Sequence, residues 1–180
     1  MRRTFWPCLA LAAVLLTGCI GDPEPREPDP TGSTSPKPSA TPPPLPEAAT
    51  QETPDGAASF VDHYLEVLTY SAQTGDTEPL RAISNPDCDG CSSYADRFEQ
   101  RHDAGGWRTG GEWTAGELQV SQFGIDTALV TDLASAAGTV KEDADASPKS
   151  FDATTEKVTF VVTFAGETWI MLEFALGDQS

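Results

Sequence analysis

Apolar residues follow one period in the middle of this chain and another towards its C-terminus. From Ala57 to Leu68 they recur at spacings of three and four, which predicts a helix with one buried face. Thr53-Pro54-Asp55 is typical of a helix start, and Thr74-Gly75-Asp76 of a helix end. Over residues 158–164 every second residue is large and apolar, which predicts a strand.

Weaker patterns predict two more helices, several more strands and two irregular segments. The helices are expected over residues 78–83 and 91–102, on either side of a turn at residues 85–87. Further strands are expected around residues 118–121, 127–135 and 168–176. The last is apolar on both faces, so we expect it to be central or covered. Residues 105–111 are predicted to form a flexible link, and residues 141–149 a mobile loop.

Helices followed by strands indicate an α+β domain. The predicted arrangement packs the N-terminal helices against a curved antiparallel sheet, which would bury all the apolar faces described above. This domain is expected to span residues 55–180, a length that allows a single core.

The first nineteen residues carry three features in a fixed order. Arg2 and Arg3 form a positive start, an apolar run of about a dozen residues follows, and Leu16-Thr17-Gly18-Cys19 ends it. The run is too short to span a membrane, which takes about 20 residues. The order predicts a lipoprotein signal peptide over residues 1–18 and lipidation of Cys19. Arg2-Arg3-Thr4-Phe5 also resembles a twin-arginine signal, so the export route stays open.

Residues 19–54 have the composition of a disordered tether. From Ile20 to Pro54 the chain holds eleven of its fifteen prolines, mixed with Ser, Thr, Asp and Glu. Such a segment offers little apolar surface to offset the entropy cost of folding. We expect it to act as an extended spacer between the anchor and the domain.

The charge of the chain argues against nucleic acid as a partner. The formal net charge is −17, and it becomes −19 when Arg2 and Arg3 leave with the signal peptide. Binding to a phosphate backbone needs clustered basic residues, which this sequence lacks. The predicted partner is therefore a membrane, contacted through acyl chains rather than through charge.

The Phe60–Leu65 helix, the Thr74-Gly75-Asp76 turn and the later sheet together resemble the NTF2-like (SnoaL-like) cone. The lipobox, the tether and the stretch Ile83–Cys91 further resemble an actinobacterial lipoprotein family known as domain of unknown function 6318. The resemblance implies a fold and an extracytoplasmic location on the outer face of the cell membrane. It implies no activity, because NTF2-like domains include both enzymes and binding modules.

Cys88-Asp89-Gly90-Cys91 is the most distinctive motif of the domain. Cys8 leaves with the signal peptide and Cys19 is acylated, so outside the cytoplasm Cys88 and Cys91 should form a disulfide with each other. A redox-active pair is the alternative, because a helix N-terminus lowers a thiol pKa. Zinc would need both His63 and His102 as further ligands, and we predict no metal or cofactor.

Asp62, His63 and Tyr64 are candidates for acid–base chemistry, because isomerase-like NTF2 relatives use Asp and Tyr in the cone. On a helix these three point in different directions, so we expect Tyr64 in the core, Asp62 outside and His63 partly buried with its hydrogen bonds satisfied. Candidate ligand-lining residues are Tyr64, His63, Trp107, Trp113 and Trp169. No catalytic residue is predicted.

The sequence therefore predicts a lipid-anchored, non-enzymatic module that binds an envelope protein or a small apolar ligand. A filled cone with an exposed apolar patch would favour a protein partner, and an open apolar cone would favour a ligand. Two alternatives stay open. One is an isomerase-type or hydrolase-type enzyme with its site in the cone, and the other is a thiol oxidoreductase using Cys88 and Cys91.

Overall fold

The computed structural model describes residues 41–176. The predicted signal peptide, Cys19 and the tether as far as residue 40 lie outside this range. Within it, no helix has the length and apolar content needed to cross a membrane. The elements in chain order are a 3₁₀ helix (Glu47–Thr50), α1 (Pro54–Thr74), α2 (Glu78–Ala82), α3 (Asp89–Asp103), β1 (Trp107–Gly110), β2 (Trp113–Ala115), β3 (Gln119–Gln122), β4 (Asp126–Ser135), β5 (Gly138–Lys141), β6 (Lys149–Phe151), β7 (Thr154–Ala165) and β8 (Thr168–Leu176).

Helix α1 forms where the periodicity predicts it. The hydroxyl of Thr53 accepts a hydrogen bond from the backbone N–H of Gly56 at 3.0 Å, which caps the first turn. Gly75 ends the helix in the left-handed conformation, with φ of 77°. The predicted apolar face is confirmed, since all its members are buried: Ala57, Phe60, Val61, Tyr64, Leu65 and Leu68.

The strands form two antiparallel sheets. The larger has the order β2-β4-β7-β8, with β3 also paired to β4, and the smaller has the order β1-β5-β6. Buried residues of α1, α3 and the larger sheet belong to one hydrophobic core. The α+β class with helices preceding an antiparallel sheet is confirmed, and this architecture agrees with the NTF2-like fold that the sequence resemblance implied.

Strand β8 lies at one side of the larger sheet, where its outer edge is covered. The backbone N–H of Met171 donates to Ile83 O at 2.9 Å, and Asn85 N–H donates to Met171 O at 2.8 Å. An irregularity in the pairing with β7 leaves Leu172 without an opposite residue. Such a bulge reverses the inside–outside alternation, so that Trp169, Met171 and Phe174 are all buried. The strand is therefore covered rather than central.

The folded domain begins before the predicted boundary at residue 55. Residues 47–50 form a 3₁₀ helix rather than disordered tether, and Ala49 is fully buried. The indole N–H of Trp169 donates to Gln51 O at 3.0 Å. The proline-rich composition concealed this segment, because the backbone oxygen and the small side chain that fix it carry no hydrophobic pattern.

The predicted flexible link at residues 105–111 was wrong in part. Trp107–Gly110 is strand β1, paired with β5. Gly110 and Gly111 both have positive φ, of 67° and 71°, and therefore serve a tight turn rather than a loose connection.

The predicted loop at residues 141–149 is shorter than expected. Lys141 and Lys149 belong to strands β5 and β6, so residues 142–148 connect them. Glu142 forms an ion pair with Arg101 at 3.0 Å, and Ala144 N–H donates to Ala104 O at 2.8 Å. The loop is thus held against the end of α3.

Replacing Gly56 by alanine should destabilise the domain, although alanine is the better helix former by about 1 kcal/mol. A Cβ at Gly56 would lie 2.0 Å from the backbone oxygen of Gln51. We expect Gly56→Ala to lower the free energy of unfolding by about 1–3 kcal/mol in urea titrations. The control is Gly124→Ala, where a Cβ meets nothing within 4 Å and the change should stay within about 0.5 kcal/mol. Equal stability of the two variants would contradict the docking of residues 47–51 on α1.

Candidate functional site

Aromatic side chains fill the space between the helices and the larger sheet. Phe160 and Phe174 stack with ring centroids 5.2 Å apart, and Tyr94 lies 5.4 Å from Phe174. Tyr64 and Trp169, both predicted as possible ligand-lining residues, are fully buried in this core. Burial raises the pKa of Tyr64 to about 12, despite an opposing hydrogen bond from Ser84. The two side chains are therefore packed against protein rather than facing an open cavity.

A guanidinium group covers Trp113, the third predicted lining residue. Arg108 lies between two rings, 4.6 Å from the centroid of Trp113 and 4.5 Å from that of Phe151. One of its Nη atoms donates to Gly111 O at 3.2 Å. We call Arg108, Trp113 and Phe151 the arginine stack. Stacking a planar cation on two aromatic faces is favourable, and more so where water is excluded.

Glycines make the arginine stack possible. A Cβ at Gly111 would lie 2.1 Å from a guanidinium nitrogen of Arg108, and one at Gly138 would lie 2.5 Å from the ring of Phe151. Glycine at these two positions thus leaves room for the cation and the ring. The sequence analysis missed Arg108 and Phe151 because the stack joins β1, β2 and β6. The one available signal was a lone arginine between two glycine pairs.

A second arginine, Arg101, lies close enough to Arg108 to lower its pKa. Burial lowers the pKa of Arg108, and the positive charge of Arg101 lowers it further. Arg101 is only 7% exposed and pairs with Glu142 through Nε. Within the described part of the chain, Arg101 Nη1 and Arg108 Nε have no hydrogen-bond partner. Arg101 is therefore held by packing and by the carboxylate of Glu142, and Arg108 by stacking and by Gly111 O.

The Asp-His-Tyr run on α1 does not converge into one site. Asp62 is exposed, as predicted. Partial loss of hydration on the helix surface and the neighbouring negative charge of Glu66 raise its pKa. His63 is 5% exposed, and burial lowers its pKa. The prediction of a satisfied histidine was wrong for one ring atom, since His63 Nδ1 finds no partner among the described residues. The ring is fixed by packing, which a helical pattern cannot distinguish from hydrogen bonding.

Trp107, the remaining predicted lining residue, is half-buried in β1 opposite Lys141. Across residues 41–176 there is no group of three or more His, Cys, Asp or Glu side chains placed to hold a metal ion.

The segment from Ile83 to Cys91, which we call the disulfide turn, is built on the edge of β8. Cys88 and Cys91 form the predicted disulfide, and Cys88 Sγ accepts a hydrogen bond from Cys91 N–H at 3.2 Å. Cys88 thereby caps α3. A Cβ at Gly90 would lie 2.8 Å from Phe174 O, so only glycine lets α3 approach β8 this closely. The disulfide thus braces the cover of β8.

A surface pocket of about 280 Å³ opens beside the disulfide turn. Arg81, at its wall, pairs with Asp96 at 2.7 Å and with Glu99 at 3.1 Å, and Glu99 also accepts a hydrogen bond from Thr77. The cation is thus already neutralised by two carboxylates, which leaves it little capacity to bind an anion. The pocket is lined by Arg81, Ser84, Asn85, Pro86, Cys91 and Ser92.

Replacing Arg108 by lysine should destabilise the domain although the charge is kept. An ammonium group cannot stack between Trp113 and Phe151, so we expect the free energy of unfolding to fall by about 1–2 kcal/mol in urea titrations. The matched control is Arg97→Lys on the exposed side of α3, which should change stability by less than about 0.5 kcal/mol. An Arg108→Lys protein as stable as the wild type would show that the stack contributes nothing specific.

Solved structures with a similar backbone are distant in sequence. The intermembrane space region of the chloroplast protein ARC6 has 13% identity and a TM-score of 0.51, covering 69% of this chain and 95% of that one. An uncharacterised protein with a cystatin-like fold from Caulobacter vibrioides has 8% identity and a TM-score of 0.42, covering 69% and 92%. An NTF2-like protein with a cystatin-like fold from Novosphingobium aromaticivorans has 14% identity and a TM-score of 0.38, covering 70% and 90%. At such identities a likeness concerns the fold alone.

The sequence itself matches a family rather than an individual protein. No curated protein sequence matches the chain. Residues 30–175 match the model of a family described as "Family of unknown function (DUF6318)". This span contains the disulfide turn and part of the tether, two of the three features that carry the sequence resemblance. The protein therefore belongs to the DUF6318 family.

Proposed function

We propose that this protein is an extracytoplasmic lipoprotein whose domain is a non-enzymatic interaction module of the cell envelope. Acyl chains on Cys19 attach it to the outer face of the membrane, and the proline-rich segment connects the anchor to the domain. The observation that carries the proposal for the domain is its filled interior, closed at Trp113 by the arginine stack. A module of this kind contacts its partner through the outer surface.

The packing of the interior supports an interaction module over a small-molecule site. A drug-sized ligand needs a concave, largely preformed cavity of about 300–1,000 Å³. Here Phe60, Tyr64, Phe160 and Trp169 are fully buried against one another and against the helices. The approach to Trp113 is taken by Arg108, and displacing that cation would cost its contacts with two rings.

The placement of the ionisable groups supports a non-enzymatic role. General acid–base catalysis needs a titratable group that faces the space in which a substrate binds. Asp62 lies on the solvent side of α1, whereas Tyr64 lies on its core side. The charged residue that acts on His63 is Glu66, on the same helix. These groups therefore do not face a shared cavity, although they are adjacent in sequence.

Cys19 should be the lipidated residue. We expect the full-length chain, produced in a bacterium and fed an alkyne-bearing palmitate, to carry the label and to sediment with membranes. Cys19→Ser should abolish the label because the accepting thiol is gone. Cys8→Ser, within the signal peptide, is the matched control and should leave labelling unchanged. Label that persists in Cys19→Ser, or that is lost in Cys8→Ser, would contradict the proposed anchor.

The Cys88–Cys91 disulfide should brace the fold and exchange slowly with external thiols. Both cysteines are almost completely buried, at 3% and 2% exposure. We expect Cys88→Ala/Cys91→Ala to lower the free energy of unfolding by about 2 kcal/mol, the chain-entropy value for so short a loop. In the wild type, alkylation after mild reductant should appear only when urea unfolds the domain. Rapid alkylation of the native protein would instead support thiol oxidoreductase activity.

A further inference from the structure

The described surface exposes three large apolar side chains. Leu45 is 40% exposed, Phe123 is 48% exposed and Ile125 is 88% exposed. Phe123, Gly124 and Ile125 form the connection between β3 and β4, which we call the apolar tip. Single exposed apolar residues are common on soluble proteins, but two at the end of one hairpin form a projecting patch.

The apolar tip lies at the end of the domain where the chain enters it. Thr163 Oγ1 on β7 donates to Ile125 O at 2.7 Å. The next residue, Phe164, pairs with Trp169 on β8, whose indole N–H donates to Gln51 O. Ile125 is therefore about two strand spacings, or about 10 Å, from the strand that holds the entering segment. Leu45 lies two residues before the 3₁₀ helix, at the same entrance.

The strands next to the apolar tip are poor in charge, whereas the β7–β8 turn carries Glu167 and the entering segment carries Glu47 and Glu52. Residues 118–131 contain one charged residue, Asp126, and residues 158–166 contain none, although 22% of the whole chain is charged. Charged side chains resist transfer out of water, so their scarcity suits a surface that leaves water.

We propose that the apolar tip inserts into the lipid interface of the membrane that carries the anchor. The proposal rests on lipidation of Cys19. Residues 20–40 separate that cysteine from the described domain and, at no more than about 3 Å per residue, reach about 60 Å, ample for contact. Tethering raises the effective concentration of the tip at the membrane to about the millimolar range, so weak insertion is sufficient. The domain then docks with its entrance towards the bilayer.

The test places a fluorophore at the tip of the full lipidated chain. Ile125→Cys is labelled with nitrobenzoxadiazole; because Cys19 is acylated and Cys88 is paired with Cys91, the new thiol is the reactive one. In phosphatidylcholine vesicles we expect a blue shift, and quenching by spin-labelled lipids. The matched control carries the label at Asp145→Cys, in the β5–β6 loop beside the C-terminal end of α3, and should show neither. Adding Phe123→Ser should reduce the inserted fraction about tenfold.

The outcomes separate this proposal from the anchor on which it rests. A chain that floats with vesicles but shows unchanged emission at residue 125 overturns insertion and leaves the anchor intact. That result would assign the apolar tip to a protein partner. A chain that fails to acquire lipid and does not float overturns both proposals. Equal blue shifts at residues 125 and 145 would also overturn insertion, since they would indicate adsorption without orientation.

Discussion

Strand β8 is the element on which the other parts of this domain depend. Its outer edge would expose unpaired backbone groups, and such edges must be covered or they recruit other chains. Residues 83–85 cover this edge through hydrogen bonds to Met171. Two further segments dock on the same strand: the start of α3 approaches it closely at Gly90, and Gln51 accepts the hydrogen bond from Trp169. The disulfide turn that characterises the chain is thus part of the cover of a strand.

The same packing determines what the interior can do. A bulge in β8 directs Trp169, Met171 and Phe174 inwards, into the same hydrophobic core as the apolar face of α1. Large rings on both sides leave little room between sheet and helices, and the arginine stack occupies the approach to Trp113. A fold that encloses a ligand in some proteins has a packed interior here, and the proposed function therefore assigns the interaction to its surface.

Phe123 and Ile125 place exposed apolar surface on a strongly acidic chain. The segments next to these two side chains, residues 118–131 and 158–166, carry one charged residue between them. The chain enters the domain at the same end, through the segment docked on Trp169. The net negative charge of the domain disfavours its binding to anionic lipid head groups. In the proposed insertion, Phe123 and Ile125 would set the orientation of the domain at the membrane.

The sequence by itself determined α1 with Thr53 and Gly75, the strand over residues 158–164 and the pairing of Cys88 with Cys91, because period, capping and cysteine spacing are local. It missed the 3₁₀ helix and strands β1, β5 and β6, which are short and lack a clear hydrophobic period. The sequence placed Tyr64 on a helix and Trp169 on a strand, but it could not decide whether these two side chains line a cavity. Tertiary structure decided that question, since the stacking of Arg108 on Trp113 and Phe151 joins residues from three strands. It also decided that residues 47–51 belong to the domain, because a backbone oxygen and one small side chain leave no pattern in a sequence.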